Sequence, residues 1–307
     1  VDEALKQNKL DLSDKETLFI ISSTKGNINL LEKNQTDEIN RNRIFLSKTA
    51  NYIAQYYNNP NQPIVVSNAC ISGVLAIIIA KRLLEKGIYK TSVIIGADII
   101  SEFVVSGFSS FKAISNEIAK PYNAERNGIS LGEGCGTLIL STDSNLLKKD
   151  EQVIQVLGGA SSNDANHISG PSKTGDGLLL AIQKCLEESK IKPSEVDYIS
   201  GHGTATLFND DMEALAISDA GLQNVPMNSL KSFFGHTLGA AGVIESIIGI
   251  ESLRRNTMIG TFNFNTLGVP KPITILANTE KKEIRNCLKT AAGFGGCNAA
   301  IMFSKKG

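Results

Sequence analysis

One stretch constrains the fold of this chain more than any other: Pro63-Ile-Val-Val-Ser-Asn-Ala-Cys70-Ile-Ser-Gly-Val-Leu-Ala-Ile-Ile-Ile-Ala80. It reads as a β-branched strand, a tight Ser-Asn-Ala-Cys turn, and a helix whose first turns are almost wholly apolar. A helix apolar on every side belongs in the middle of a domain, where no face meets water. Cys70 then stands at the mouth of that buried helix. Unpaired backbone N–H groups and the helix dipole there favour a thiolate, which suits a nucleophile. A structural cysteine is the competing reading, because free cysteine is among the most buried residue types. Glu85-Lys86-Gly87 stops the helix, and Thr91–Ala97 is another buried strand. Strand, helix, strand is the βαβ unit of a parallel sheet.

The second half repeats this grammar. Val153-Ile-Gln-Val-Leu-Gly158 is a strand, and Gly177 to Ser189 is an amphipathic helix. The strand Val196–Ser200 runs into Gly201-His-Gly-Thr204, and Asp210 to Ala220 is helical. Leu238 to Leu253 is a small-residue apolar helix like the one after Cys70. Final strands are expected at Ile273–Leu276, Leu288–Ala292 and Ala299–Phe303. The polar run 141–152, with Lys148-Lys-Asp-Glu151, marks the boundary. The expected architecture is a duplicated α/β fold with an N-terminal half over 1–150 and a C-terminal half over 151–307. The halves match in pattern and not in residue identity.

Bulk properties narrow the function. Formal net charge is zero, so nothing in the overall balance points to nucleic acid or an anionic membrane. The apolar run Val74–Ala80 ends at Lys81-Arg82, well short of the ~18 residues of a membrane span. The opening Val1-Asp-Glu-Ala-Leu-Lys6 is polar and unlike a signal peptide. The five cysteines are odd in number and scattered, with no Cys-x-x-Cys pair. That pattern argues against a disulfide framework or thiolate metal site, and for a reducing compartment such as the cytoplasm.

Two of the three histidines lie in tight glycine settings. His202 stands in Gly201-His-Gly-Thr-Ala-Thr206, and His236 in Lys231-Ser-Phe-Phe-Gly-His-Thr-Leu-Gly-Ala-Ala-Gly242. Flanking glycines let backbone or substrate approach closely. A lone loop histidine is usually structural or solvated; two in such settings beside a helix-mouth cysteine suggest a site.

These stretches resemble the β-ketoacyl-[acyl-carrier-protein] synthases of the elongating type I/II group, in the thiolase superfamily. Ser67-Asn-Ala-Cys70-Ile-Ser-Gly73 resembles the nucleophile motif, and Lys120-Pro-Tyr-Asn-Ala-Glu-Arg-Asn-Gly128…Gly132-Glu-Gly134 resembles a conserved block of that family. Asp164-Ala-Asn-His167, His202-Gly-Thr-Ala-Thr206 with Glu213, Lys231…His236 and Gly293-Phe-Gly-Gly-Cys-Asn298 follow in the family's order. The resemblance implies a thiolase-like fold of duplicated α-β-α-β-α layers. It also implies decarboxylative Claisen condensation of an acyl-Cys70 intermediate with malonyl-carrier protein, in fatty-acid or polyketide/polyene synthesis.

The roles it implies are specific. Cys70 is the nucleophile, while His202 and His236 stabilise the enolate left as CO₂ departs. The backbone N–H groups of Cys70 and Phe294 form an oxyanion hole, and Phe294 gates the acyl pocket. Lys231 lends positive charge and holds the histidines; Glu213 is its buried partner or part of an ion site, or else a plain helix carboxylate. His167 is expected to be structural. No cofactor or metal is implied. An acidic acyl carrier protein is the implied partner, met by a local basic patch, and the protein is expected to be a homodimer or a heterodimer with a related subunit. Thr91–Ala97, read as an apolar edge strand, is a candidate for the dimer contact.

Several features depart from the family. Ala291-Ala292 stands where a Ser-Phe pair is usual, which hints at an altered acyl substrate. Cys297 replaces the usual Thr; in a thiolase acting on acyl-coenzyme A it would be the catalytic base. The family's opening strand and Thr-Gly-(hydrophobic)-Gly turn are absent, so the first half is expected to lack its N-terminal strand region. Missing residues are expected here rather than a naturally short fold, because losing a central strand exposes a sheet edge. A non-catalytic chain-length partner subunit is the remaining alternative.

Overall fold

A computed structural model describes residues 1–6, 10–31, 42–146, 152–165 and 170–306. His167 lies outside the described residues, as does the whole Lys148–Glu151 run. Two mixed sheets form the frame. The first half comprises α1 (Asp2–Leu5), β1 (Thr17–Ser22), α2 (Leu46–Tyr56), β2 (Ile64–Val66), α3 (Ser72–Glu85), β3 (Thr91–Asp98), α4 (Glu102–Ser110) and β4 (Gly134–Ser141). Its sheet runs β2-β1-β3-β4, with the first three strands parallel and β4 antiparallel.

The second half contains β5 (Ile154–Asn163), α5 (Asp176–Ser189), β6 (Tyr198–Ser200), α6 (Leu207–Asp219), β7 (Met227–Asn228), α7 (Lys231–Phe234) and α8 (Ala241–Arg255). A short β8 (Thr257–Met258) and β9 (Glu280–Lys281) pair with one another, then β10 (Asn286–Gly293) and β11 (Cys297–Lys305) end the chain. This sheet runs β5-β11-β10-β6-β7. As in the first sheet, three parallel strands are followed by an antiparallel one, and β5 adds a further antiparallel strand outside it.

Two expectations change. Thr91–Ala97 is not an edge strand: β3 lies between β1 and β4, in register with both. Its apolar residues are covered by the sheet and need no partner subunit. Ile273–Leu276 makes only an isolated bridge, Ile275 to Met227. The segment reaches β7 through Met227 N–H on Thr274 O and Leu276 N–H on Met227 O.

The apolar helix α3 packs where the sequence demands, in the core between the sheets with Val74, Ile77 and Ile78 fully buried. It crosses α8 at paired glycines. A Cβ on Gly73 would meet Val243 N at 2.5 Å, and one on Gly242 would meet Val74 N at 2.4 Å. Only glycine permits that backbone contact. The crossing brings together the two helix entrances, and with them Cys70 and His236.

Candidate active site

Cys70 closes a sharp turn after β2. Ala69 just before it has φ of 42°, a left-handed conformation that costs an L-residue about 1 kcal/mol or more. The Ser72 hydroxyl holds the turn, donating to Ala69 O at 2.6 Å and accepting from Asn68 N at 2.7 Å. His202 leaves the end of β6 on the Gly201–Thr204 turn. His236 follows Gly235, whose φ is 75°, and is pinned by its N–H on Ser130 O at 2.8 Å and its O to Gly132 N–H at 3.0 Å. The Gly132 block therefore serves the His236 loop: a Cβ on Gly132 would strike Phe234 O at 2.0 Å.

These three turns converge. A sulfur or ring-nitrogen atom from each of Cys70, His202 and His236 lies within 4.8 Å of the others. The two imidazoles meet edge to face, with centroids 5.2 Å apart. All three line one cavity of about 460 Å³, together with Ala292, Phe294 and Thr204. Phe294 stacks on Phe108 at 5.2 Å and meets Phe111 edge-on at 5.4 Å, forming an aromatic wall.

Hydrogen bonds assign the proton on each ring. Leu238 N–H donates to His236 Nδ1 at 3.3 Å, so the neutral ring carries its proton on Nε2. That Nε2 is buried and has no hydrogen-bond partner among the described residues. Lys231 Nζ approaches His202 Nδ1 at 3.3 Å, so an ammonium there also leaves the His202 proton on Nε2. Burial holds both imidazoles well below the usual histidine range, and the charges of Lys231 and Lys289 push the same way. The result is a pair of neutral, buried N–H donors. The same three donor types suit a soft divalent ion, but two buried lysines nearby oppose further positive charge.

Lys231 is wholly buried and donates to His202 O at 2.6 Å and to Glu245 Oε1 at 2.7 Å. Its carboxylate partner is thus Glu245 of α8, not Glu213. Glu213 anchors the His202 turn by a different route. It accepts from His202 N–H, Gly203 N–H and Tyr122 O–H, each at 2.8 Å, and from the Thr290 hydroxyl at 2.6 Å. Glu245, Tyr122 and Lys289 escaped the sequence reading. Lys289 left a trace in the sequence as the one charge of the buried strand β10, and Glu245 as the one charge in the apolar first half of α8.

The expectation of a thiolate at Cys70 does not hold. Burial pushes its thiol up to about 12, with a further push from Cys297 and only partial opposition from Lys231 and Lys25. The helix begins at Ser72, two residues on, and its dipole is a small effect against desolvation. Alkylation of Cys70 by iodoacetamide, followed by peptide mass mapping, is expected to rise about tenfold per pH unit from about pH 7 to 9; a plateau in that range would contradict a protonated resting thiol. Cys297 is also buried, pushed up to about 11, and its Sγ faces Phe294 O at 3.4 Å and Asn68 O at 3.8 Å.

Comparison with known proteins identifies the family. Residues 1–145 match the family model for the beta-ketoacyl synthase N-terminal domain, and residues 154–265 match its C-terminal domain. The chain is 32% identical over 259 residues to 3-oxoacyl-[acyl-carrier-protein] synthase 2 of Rhizobium meliloti, covering 80% of this chain and 61% of that protein. It superimposes on a chain of the ketosynthase–chain length factor complex of Xenorhabdus doucetiae with TM-score 0.87 and 27% identity, covering 99% of this chain and 77% of that one. A beta-ketoacyl synthase of Burkholderia phymatum shares the fold, with TM-score 0.91 at 23% identity over 100% of this chain and 79% of that one. The chain spans about three fifths of the length of the first curated relatives it matches. With matches to both domain models in order along it, this chain belongs to the β-ketoacyl synthase family and has its thiolase-like α/β fold.

Proposed function

We propose that this chain carries the active centre of an elongating 3-oxoacyl-[acyl-carrier-protein] synthase, an acyltransferase that condenses an acyl group with a malonyl thioester. The observation that carries the reading is the convergence of Cys70 with two imidazole Nε2–H donors in one cavity. Cys70 attacks the acyl thioester: an S–C bond forms, the carrier's C–S bond breaks, and the thiol proton leaves with the carrier thiol. In the second half-reaction the bond from the malonyl α-carbon to its carboxylate breaks and CO₂ departs. The electron pair stays as an enolate, whose oxygen receives hydrogen bonds from His202 and His236. The α-carbon then bonds to the acyl carbon, the S–C bond to Cys70 breaks with its electron pair on sulfur, and the sulfur takes up one proton from solvent to return to the thiol.

Backbone N–H groups of Cys70 and Phe294 serve as the oxyanion hole for both acyl transfers. A Cβ on Gly293 would lie 2.9 Å from Cys70 N, so the Gly293 turn and the nucleophile are in direct contact. Lys231 positions His202, and Glu213 supports the same turn. Residues 1–150 and 151–307 act as two thiolase-like halves, the first supplying Cys70 and the second the histidines. Acyl carrier protein is the partner in the cytoplasm, and pairing with a second ketosynthase-like subunit is supported by the Xenorhabdus complex. Among the described residues no helix is long and apolar enough to cross a membrane. Ala292, lining the cavity, gives the acyl chain more room than a bulkier residue would.

Incubation with acyl-carrier thioesters and malonyl-carrier protein, followed by intact mass and CO₂ release, tests the assignment. His202→Ala and His236→Ala are each expected to slow decarboxylation by about 10²–10³-fold while Cys70 still acquires the acyl group. Decarboxylation unaffected by either change would remove the histidines from the mechanism. Exclusive use of coenzyme A substrates without CO₂ release would favour a thiolase.

A further inference from the structure

Lys289 is a lysine in the middle of a buried strand, and its surroundings are unusual. It is 1% exposed on β10, beside Ser200 of β6 in register. Its Nζ donates to Ser200 O at 3.2 Å and to Gly201 O at 3.0 Å, and pairs with Glu245 Oε2 at 2.6 Å. Lys231 takes the next carbonyl, His202 O, and the other oxygen of the same carboxylate. Two ammonium groups thus clasp three consecutive carbonyls, 200 to 202, and share one anion.

We propose that Lys289 is a second positioning residue of the condensing site, holding the strand end that delivers His202 and leaving the buried Lys231–Glu245–Lys289 cluster with a net positive charge. A single Lys231–Glu245 pair would be neutral. With Lys289 present, the cluster itself holds one more positive than negative charge behind the two imidazoles, where an enolate and a departing carboxylate place negative charge; the Glu213 carboxylate on the His202 turn offsets it in part. Burying two ammonium groups around one carboxylate is costly, and an apolar residue on β10 would avoid that cost. Burial lowers the Lys289 ammonium from its ordinary range while Glu245 opposes the fall.

The groups facing the imidazoles come from several elements. Lys231 of α7 and Lys289 of β10 act on both rings, and each ring faces the other. Glu245 of α8 lies between the lysines, Glu213 of α6 accepts the His202 N–H, and the Cys70 thiol stands before α3. Removing Lys289 therefore takes a positive charge from both rings and raises their affinity for a proton. The sign is fixed: protonation of the histidines, which destroys the neutral donors, moves to higher pH.

The inference rests on the decarboxylating role given above to His202 and His236, so its test has one arm that needs no activity. Lys289→Gln keeps a donor for Gly201 O without the charge, and Lys289→Met removes both. Each is compared with wild type by thermal melting, by nitrogen NMR of the three histidines across pH, and by malonyl-thioester decarboxylation. In both variants the His202 and His236 titrations are expected to move up by about one pH unit, and kcat to fall about tenfold with KM little changed. If Lys289→Met does not fold, Lys289→Gln alone decides. Histidine titrations and kcat matching wild type in a folded variant would overturn the proposal. So would a loss of activity that follows only the melting temperature. A wild-type protein that releases no CO₂ would defeat the proposed function, while the NMR arm would still judge Lys289.

Discussion

Cys70→Ala is expected to abolish the acyl adduct seen by intact mass and to lower condensation by at least about 10³-fold. No other thiol can take its place. Cys185 and Cys287 are buried in the two hydrophobic cores, Cys135 lies exposed on β4, and Cys297 faces carbonyl oxygens. The change removes Sγ without altering the left-handed Ala69 or the Ser72 hydrogen bonds that shape the turn. Melting should therefore move by no more than about 1 kcal/mol. Decarboxylation of the malonyl thioester should persist in this variant, because its two N–H donors are untouched. An acyl adduct surviving in Cys70→Ala would sink the nucleophile assignment.

Glu213→Ala is expected to be the most destabilising single change near the site. The side chain is fully buried and accepts four hydrogen bonds: two from backbone N–H groups, one from Tyr122 and one from Thr290. Removal leaves four buried donors without an acceptor, each costing about 1–3 kcal/mol. Even at the low end the sum is about 4 kcal/mol, a fall in melting temperature on the order of 10 °C for a chain of this size. Decarboxylation should fall with it, since the His202 turn loses two of its backbone anchors. Thr290→Val, which deletes only one of the four donors, is the control, with about 1 kcal/mol expected. A Glu213→Ala melt within 1 °C or so of wild type would show that the turn is held by other contacts.

The three residues that converge at the cavity were legible because their signals are local. A turn between a β-branched strand and an all-apolar helix singled out Cys70, and flanking glycines singled out His202 and His236. The apolar helices α3 and α8 were legible for the same reason, since a run with no polar face can only be buried. Failures came where neighbours distant in sequence decide. The edge or interior place of β3 depends on β4 arriving from some forty residues downstream and pairing antiparallel with it. Ile273–Leu276 has strand-like residues, but the two-residue β7 it meets offers only a bridge at Met227.

Sequence alone therefore singled out the cysteine and the two histidines that meet at the cavity, and the family order in which their motifs occur. Tertiary structure decided their state. Desolvation at the crossing of α3 and α8 keeps Cys70 protonated, because removing water penalises charge more than a nearby helix end rewards it. It also decided which carboxylate serves which lysine: Glu245 enters from α8 and takes both, leaving Glu213 to hold the turn. Charge state and pairing are properties of distances in space, and motif spacing along the chain does not contain them.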